Sequence, residues 1–337
     1  MSLLQFIANG LYITEDEAIR YIVTIPRRYK KFNIRKRNSN EFRLIAQPAK
    51  QVKSIQRIVL KYVISDFHVH ERAFAYESYK DIRKNALVHH NNDYILKMDF
   101  KNFFPSIRPF HLMNCFANMN IKLDEMDFFV IENLFFWKPR RNSPLQLSIG
   151  APSSPKISNV IMYSFDCEIF SRCKEMGIEY SRYADDLTFS TTKKGILFDI
   201  PKIVREILNE VNLKSIKINH EKTIFSSKKF NRHVTGITIT NDGGLSLGRE
   251  KKRILRSKIH HYICGVLPDV EILKLRGELG YAKFIEPSFF KAMVNKYGYD
   301  VIDSIAKYGN CSWVSFGNKK SSYLFFVLNI ERDCRHP

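Results

Sequence analysis

Two β-prone runs, Ile178 to Tyr183 and Leu187 to Ser190, are separated only by Ala184, Asp185 and Asp186. Runs rich in aromatic and β-branched residues around so short a break predict a tight antiparallel hairpin. This one carries two adjacent carboxylates at its turn. A second short apolar run, Tyr94-Ile95-Leu96-Lys97-Met98, ends in Asp99 and predicts a buried strand that delivers a third carboxylate at its tip. Acidic groups gathered at strand ends repel one another unless a cation neutralises them. Hard carboxylate oxygens without His or Cys suit Mg²⁺ or Mn²⁺. Two such ions can activate an attacking hydroxyl and stabilise a leaving pyrophosphate. An Asp-Asp pair alone most often marks an exposed turn, so its weight depends on the residues around it.

Those acids stand in a chain of opposite sign. The 337 residues carry 54 Lys+Arg against 34 Asp+Glu, a net charge of +20. Such an excess calls for a polyanionic partner. Nucleic acid, anionic lipid and a merely solvated basic surface all fit that number. With 45% apolar residues the chain can bury a sizeable core, which excludes global disorder. No stretch approaches the roughly 20 uncharged apolar residues that span a bilayer, so no membrane partner is expected. Met1 to Leu11 lacks the basic start of a signal peptide. The cysteines, Cys115, Cys167, Cys173, Cys264, Cys311 and Cys334, form no CxxC pair. Reduced thiols in a cytoplasm, with neither a disulfide frame nor a zinc site, are the expectation.

The basic residues are clustered. Arg27 to Arg37 and Glu41 to Ile45 flank an Asn/Ser turn and predict a hairpin whose aromatics interleave with cations, as on a surface that grips phosphates and stacks bases. Gln51 to Val63 is apolar at helical spacing through Val52, Ile55, Ile58, Val59 and Val63. Phe110 to Trp137 predicts two helices, Pro144 to Ser154 a loop, Lys156 to Lys174 a helix and Ile203 to Val211 another. Ser215 to Ile218 and His233 to Thr240 predict strands. From Arg249 the composition shifts: Arg249, Lys251, Lys252, Arg253, Arg256 and Lys258 lie on a predicted helix, with further helices to about Tyr308. A domain boundary is expected near Leu245.

The aspartates do not stand alone. Tyr183-Ala184-Asp185-Asp186 resembles the YxDD hairpin of reverse transcriptases, and Asp99-Phe100-Lys101-Asn102-Phe103-Phe104 resembles the family's first catalytic motif. Between them, Gly150-Ala151-Pro152-Ser153-Ser154-Pro155 resembles its second motif, a loop that opens a helix. Arg43-Leu44-Ile45-Ala46-Gln47-Pro48 resembles the fingers motif, and Lys222 after Ile216-Lys217-Ile218-Asn219 fits a later one. Within the family, Asn85-Ala86-Leu87-Val88-His89 and Val234-Thr235-Gly236 resemble the NAxxH and VTG elements of bacterial retron enzymes, and Gly248-Arg249-Glu250-Lys251 and Lys258-Ile259-His260-His261 resemble the start of their thumb. Many reverse transcriptases have Gln before the glycine at Gly150; here it is Ile149. A side-chain contact to nucleotide is therefore not carried over to that position.

The resemblance implies an α+β, right-hand polymerase fold: fingers, a palm of antiparallel sheet plus helices, and a helical thumb. Residues 1–98 would form N-terminal helices and fingers, with the basic hairpin at about 27–47. Residues 99–245 would form the palm with an interleaved fingers segment at about 105–155, and 246–337 the thumb and C-terminal RNA-binding region. It implies that Asp99, Asp185 and Asp186 are catalytic and hold two Mg²⁺ ions (Mn²⁺ can substitute), with the backbone carbonyl of Phe100 assisting. Arg43, Phe104, Gly150 and Lys222 would border the incoming deoxynucleoside triphosphate: Arg43 on the triphosphate, Phe104 beneath the sugar, Lys222 near the leaving pyrophosphate. Asn85, His89, Val234, Thr235, Gly236, Arg249, Lys252, Arg253, Arg256 and Lys258 would serve RNA and primer. The partners implied are a structured non-coding RNA acting as template and primer, its branched DNA product (msDNA), and an accessory effector protein in anti-phage defence. Two other readings stay open at this point: a group II intron-like or diversity-generating reverse transcriptase without 2′-hydroxyl priming, and a non-catalytic RNA-binding scaffold. The aromatic tail from Ser312 to Pro337 has no assigned role.

Overall fold

The computed structural model describes residues 2–36 and 40–309, so the tail from Ser312, with Cys311 and Cys334, lies outside the described residues. The chain divides into two compact units, residues 1–234 and residues 235 onward. The break comes before Leu245 because a short hairpin, Ile237–Ile239 with Leu245–Ser246, belongs to the second unit; Leu247 N donates to Glu286 Oε2 there at 3.0 Å.

The first unit opens with α1 (Leu3–Leu11) and α2 (Glu15–Thr24). Each starts in a reciprocal cap, Ser2 with Gln5 and Thr14 with Glu17, which satisfies two otherwise orphaned donors. Strands β1 (Tyr29–Arg35) and β2 (Phe42–Pro48) form the basic hairpin, with Ile34 opposite Arg43. Helix α3 (Lys50–Val63) buries Val52, Ile55, Gln56, Val59 and Leu60. Ile58, expected inside, is instead exposed, because the buried stripe passes through Gln56, whose amide donates to Leu134 O at 2.7 Å.

After α4 (Ile82–Val88), β3 (Tyr94–Lys101) runs two residues beyond Asp99 and leads into α5 (Phe103–Ser106), α6 (Pro109–Asn118) and α7 (Glu125–Phe135). The predicted helix after the second motif is two helices, α8 (Ser154–Ile161) and α9 (Tyr163–Met176), meeting at Met162. Strands β4 (Glu179–Tyr183) and β5 (Asp186–Thr191) form the hairpin, followed by α10 (Ile200–Glu210), β6 (Lys217–Ile218), β7 (Ile224–Ser227) and β8 (Arg232–Val234). The sheet order is β4-β5-β3-β6, with β7 also pairing β3, all antiparallel. Leu96, Met98 and Phe100 of β3 share a core with Leu187 and Phe189 of β5, Phe165 and Ile169 of α9, and Val204 and Ile207 of α10. Each such side chain contributes roughly 1.5–3 kcal/mol through burial, so the sheet that carries the acids is firmly backed.

The second unit holds the β9 (Ile237–Ile239) and β10 (Leu245–Ser246) hairpin, then α11 (Arg249–Ile263), α12 (Asp269–Ile285), α13 (Pro287–Tyr297) and α14 (Tyr299–Lys307). The single strand expected over His233 to Thr240 is interrupted. Thr235 (φ 46°) and Gly236 (φ 79°) are both left-handed and make a turn.

Candidate active site

Strand pairing assembles the acids. Asp99 of β3 lies directly opposite Asp186 of β5. Residues so placed in an antiparallel ladder share one face, and like charges there destabilise one another. Asp185 sits in the two-residue loop between β4 and β5, and its carbonyl accepts from Phe100 N at 3.1 Å, which ties the turn to the strand carrying Asp99. The neighbouring Ala184 has φ 57°, a left-handed conformation that costs a non-glycine residue roughly 1–2 kcal/mol.

The electrostatics record the crowding. Partial burial and then repulsion from Asp99 push the Asp185 carboxyl above its ordinary range. Asp186 reaches solvent, yet loss of water and repulsion from Asp185 and Asp99 push it up to about 6. Arg43 moderates Asp185, and Lys222 moderates both. Lys222 Nζ is 3.0 Å from Asp99 Oδ2, and Asn219 Nδ2 donates to Asp99 Oδ1 at 3.2 Å. Among the described residues no three His, Cys, Asp or Glu side chains close on a single point. Mg²⁺ is ordinarily held by one or two carboxylates together with substrate phosphates and water. A pair of raised carboxylates beside a third, all hard oxygen donors, fits that mode of binding.

The other expected nucleotide-site residues fall into place unevenly. Arg43 is exposed on β2. Phe104 is half-buried, its ring 5.5 Å from that of the buried Phe103. Gly150 has φ 124°, and a Cβ there would meet Ala46 O at 3.0 Å. Its role in the structure is close backbone approach to β2, which Ile149 completes by accepting from Ala46 N at 2.8 Å through its carbonyl.

Several residues expected to serve RNA are interior instead. His89 is fully buried, its ring nitrogens 2.7 Å from Ser190 Oγ and 2.7 Å from Ser181 Oγ. Burial pushes it down to about 3, so the neutral ring donates to one serine and accepts from the other. Asn85 and Val234 are buried too. Asn85 lies on α4, which His89 caps, and Val234 ends β8. On α11, Arg249, Arg253 and Arg256 are exposed, with Arg256 over the Phe289 ring at 5.3 Å. Lys252 is paired with Glu286 at 2.5 Å, and Lys258 with Glu278 at 2.8 Å and Glu271 at 3.3 Å.

What sequence reasoning missed is the polar interior behind the turn. Tyr180 and Arg182 of β4 both bond the buried Asp166 of α9, and Arg182 also reaches Asn159 of α8. The available signal was an arginine inside a run that otherwise reads as a buried strand.

The reverse transcriptase (RNA-dependent DNA polymerase) family matches residues 34–239. The chain is 44% identical over 282 residues to the retron Ec83 reverse transcriptase of Escherichia coli, covering 83% of this chain and 90% of that one. It is 30% identical to the retron Ec73 reverse transcriptase of Escherichia coli, covering 83% and 90%, and 28% identical to the retron Ec86 reverse transcriptase of that organism, covering 82% and 83%. No helix among the described residues is long and apolar enough to cross a membrane. With Asp99 and Asp186 paired across an antiparallel sheet beside Asp185 and this coverage of its relatives, the chain belongs to the reverse transcriptase family, in its bacterial retron group, and is an RNA-directed DNA polymerase of the right-hand fold.

Proposed function

We propose that the chain copies a structured non-coding RNA into single-stranded DNA by nucleotidyl transfer at Asp99, Asp185 and Asp186, priming from a 2′-hydroxyl of that RNA to leave a branched RNA–DNA product. The observation that carries this reading is the cross-strand opposition of Asp99 and Asp186 beside Asp185, with the two hairpin carboxyls raised by their neighbours. Two divalent ions bound there, Mg²⁺ or Mn²⁺, would activate the attacking hydroxyl and offset charge on the pyrophosphate. Asp99 and Asp185 would hold them with the Phe100 carbonyl, and Asp186 would support from β5. Arg43 presents a planar fork that matches a triphosphate, and Phe104 would exclude a 2′-hydroxyl from the sugar slot. The β1–β2 hairpin serves as fingers, the five-stranded sheet as palm and α11 to α14 as thumb, with exposed cations of α11 holding RNA phosphates.

Priming from RNA, an accessory effector protein and a place in anti-phage defence belong to the same reading and rest on the retron resemblance. The test expresses the chain with its flanking non-coding sequence. Branched RNA–DNA is expected from the wild type in Mg²⁺ and none from Asp185→Asn. Linear cDNA alone overturns 2′-hydroxyl priming. Undiminished synthesis by Asp185→Asn overturns the assignment of the site.

A further inference from the structure

Arg182 is among the largest side chains with no exposure, at 0%. A buried guanidinium costs several kcal/mol unless its charge and donors are met. Asp166 meets the charge: Nε donates to its Oδ1 at 2.8 Å and Nη2 to its Oδ2 at 2.6 Å, a bidentate pair. That pair leaves Nη1 over. It donates to the Ala184 carbonyl at 3.1 Å and to Asn159 Oδ1 at 3.1 Å.

The Ala184 carbonyl belongs to the peptide whose nitrogen is that of Asp185, so Arg182 fixes the plane from which the Asp185 side chain departs. The fixing has work to do, because Ala184 is held at φ 57°, and strained backbone persists only where its surroundings over-determine it. Asn159 extends the brace outward: its Nδ2 donates to Ala75 O at 2.9 Å and to Glu77 Oε1 at 3.0 Å, and Lys156 Nζ holds Glu77 Oε2 at 3.0 Å. The same outer segment grips the Arg182 main chain, with Arg182 N donating to Arg72 O and Phe74 N donating to Arg182 O, each at 2.8 Å. Lys80 Nζ keeps that segment folded by bonding the carbonyls of His70, Glu71 and Ala73 at 3.0, 2.8 and 3.0 Å.

We propose that Arg182 and Asn159 are positioning residues that hold the Ala184–Asp185 peptide, and with it the Asp185 carboxylate, in the reactive orientation, with the segment from His70 to Glu77 as their outer brace. The proposal rests on the reading of Asp185 as catalytic. A reacting group displaced by an ångström loses rate without losing substrate affinity, so the cost falls on kcat and not on KM.

Arg182→Lys keeps a charge beside Asp166, but one ammonium cannot bridge Asp166, Asn159 and Ala184 together. Asn159→Asp keeps the acceptor for Arg182, loses the donor to Ala75 and sets a carboxylate against Glu77. The full chain with its RNA is assayed for the melting transition, RNA affinity, deoxynucleotide KM, kcat, and Mn²⁺ affinity by electron paramagnetic resonance. For Arg182→Lys, read well below its lowered melting transition, kcat is expected to fall at least about tenfold with KM within about threefold, and Mn²⁺ affinity to weaken while RNA affinity stays near wild type. Asn159→Asp shows the same split, smaller in size. Unchanged kcat in both variants, or a loss accounted for by the fraction unfolded at the assay temperature or by weakened RNA affinity, overturns the proposal. If Asp185→Asn is inactive while Arg182→Lys is unimpaired, this inference alone fails. If Asp185→Asn is also active, the reading of Asp185 fails with it.

Discussion

Lys222 Nζ lies 3.0 Å from Asp99 Oδ2, so the carboxylate on the central strand has a cation as its partner. Lys222 is largely exposed, reaching Asp99 from the short turn after β6. Its charge also lowers the proton affinity of Asp185 and Asp186, which burial and mutual repulsion raise.

Replacing Lys222 with Gln removes that moderating charge, so both hairpin carboxylates hold their protons to higher pH. The acid limb of the kcat/KM profile is expected to move to higher pH, and kcat near neutrality to fall about 10- to 100-fold. Lys222→Arg leaves the limb where it is. An acid limb unmoved by Lys222→Gln would refute the coupling.

Phe104 packs on the rim of the core against Phe103, five positions after Asp99. If its ring floors the sugar slot, shortening it opens room for a 2′-hydroxyl, and selectivity built on a steric clash is lost when the clash is removed. Phe104→Ala is expected to incorporate ribonucleotides with kcat/KM at least about tenfold closer to that for deoxynucleotides. Discrimination equal to wild type in single-nucleotide extension would remove Phe104 from the site.

His89 makes a stability prediction independent of catalysis. Its pKa is about 3 in the folded chain against an ordinary 6.5. The unfolded chain therefore binds the proton more readily, and stability from this residue is complete above pH 6.5 and lost as pH falls toward 3. By linkage the loss at pH 5 is on the order of 2 kcal/mol. His89→Gln, which keeps a neutral donor and acceptor, is expected to flatten the fall in urea midpoint between pH 7 and 5. An equally steep fall would show that the proton is taken up elsewhere.

Much of this was legible in the sequence because it is local. The β4–β5 hairpin, the strand carrying Asp99 and the basic hairpin follow from alternation and turn chemistry, and the three acids stand out at the strand ends and through the motifs they resemble. The rest depends on tertiary neighbours. The burial of His89 is one case, because the serines that meet its ring nitrogens, Ser181 and Ser190, come from β4 and β5, far away in the sequence. Ile58 lost its expected inward place because Gln56 found a buried carbonyl at Leu134. Val234-Thr235-Gly236 read as strand because β-propensity cannot register a threonine held at φ 46°. The link of Arg182 to Asp166 joins two elements through side chains alone, and no periodicity encodes such a pair.

The excess positive charge divides in the same structural way on α11, and the division can be measured. Arg249, Arg253 and Arg256 are exposed, whereas Lys252 and Lys258 are engaged by Glu286, Glu278 and Glu271. Only a cation free to neutralise phosphate releases counterions from RNA, and each one adds roughly 0.7–0.9 to the slope of log affinity against log salt. Arg249→Gln and Arg253→Gln are each expected to lower RNA affinity at low salt and to reduce the slope by about 1. Lys258→Met is expected to leave the slope unchanged and to lower the melting temperature, because Glu278 and Glu271 lose their shared partner. Equal slope changes for Arg253→Gln and Lys258→Met would mean that RNA pulls Lys258 from its carboxylates, and that the ion pairs of α11 open on binding.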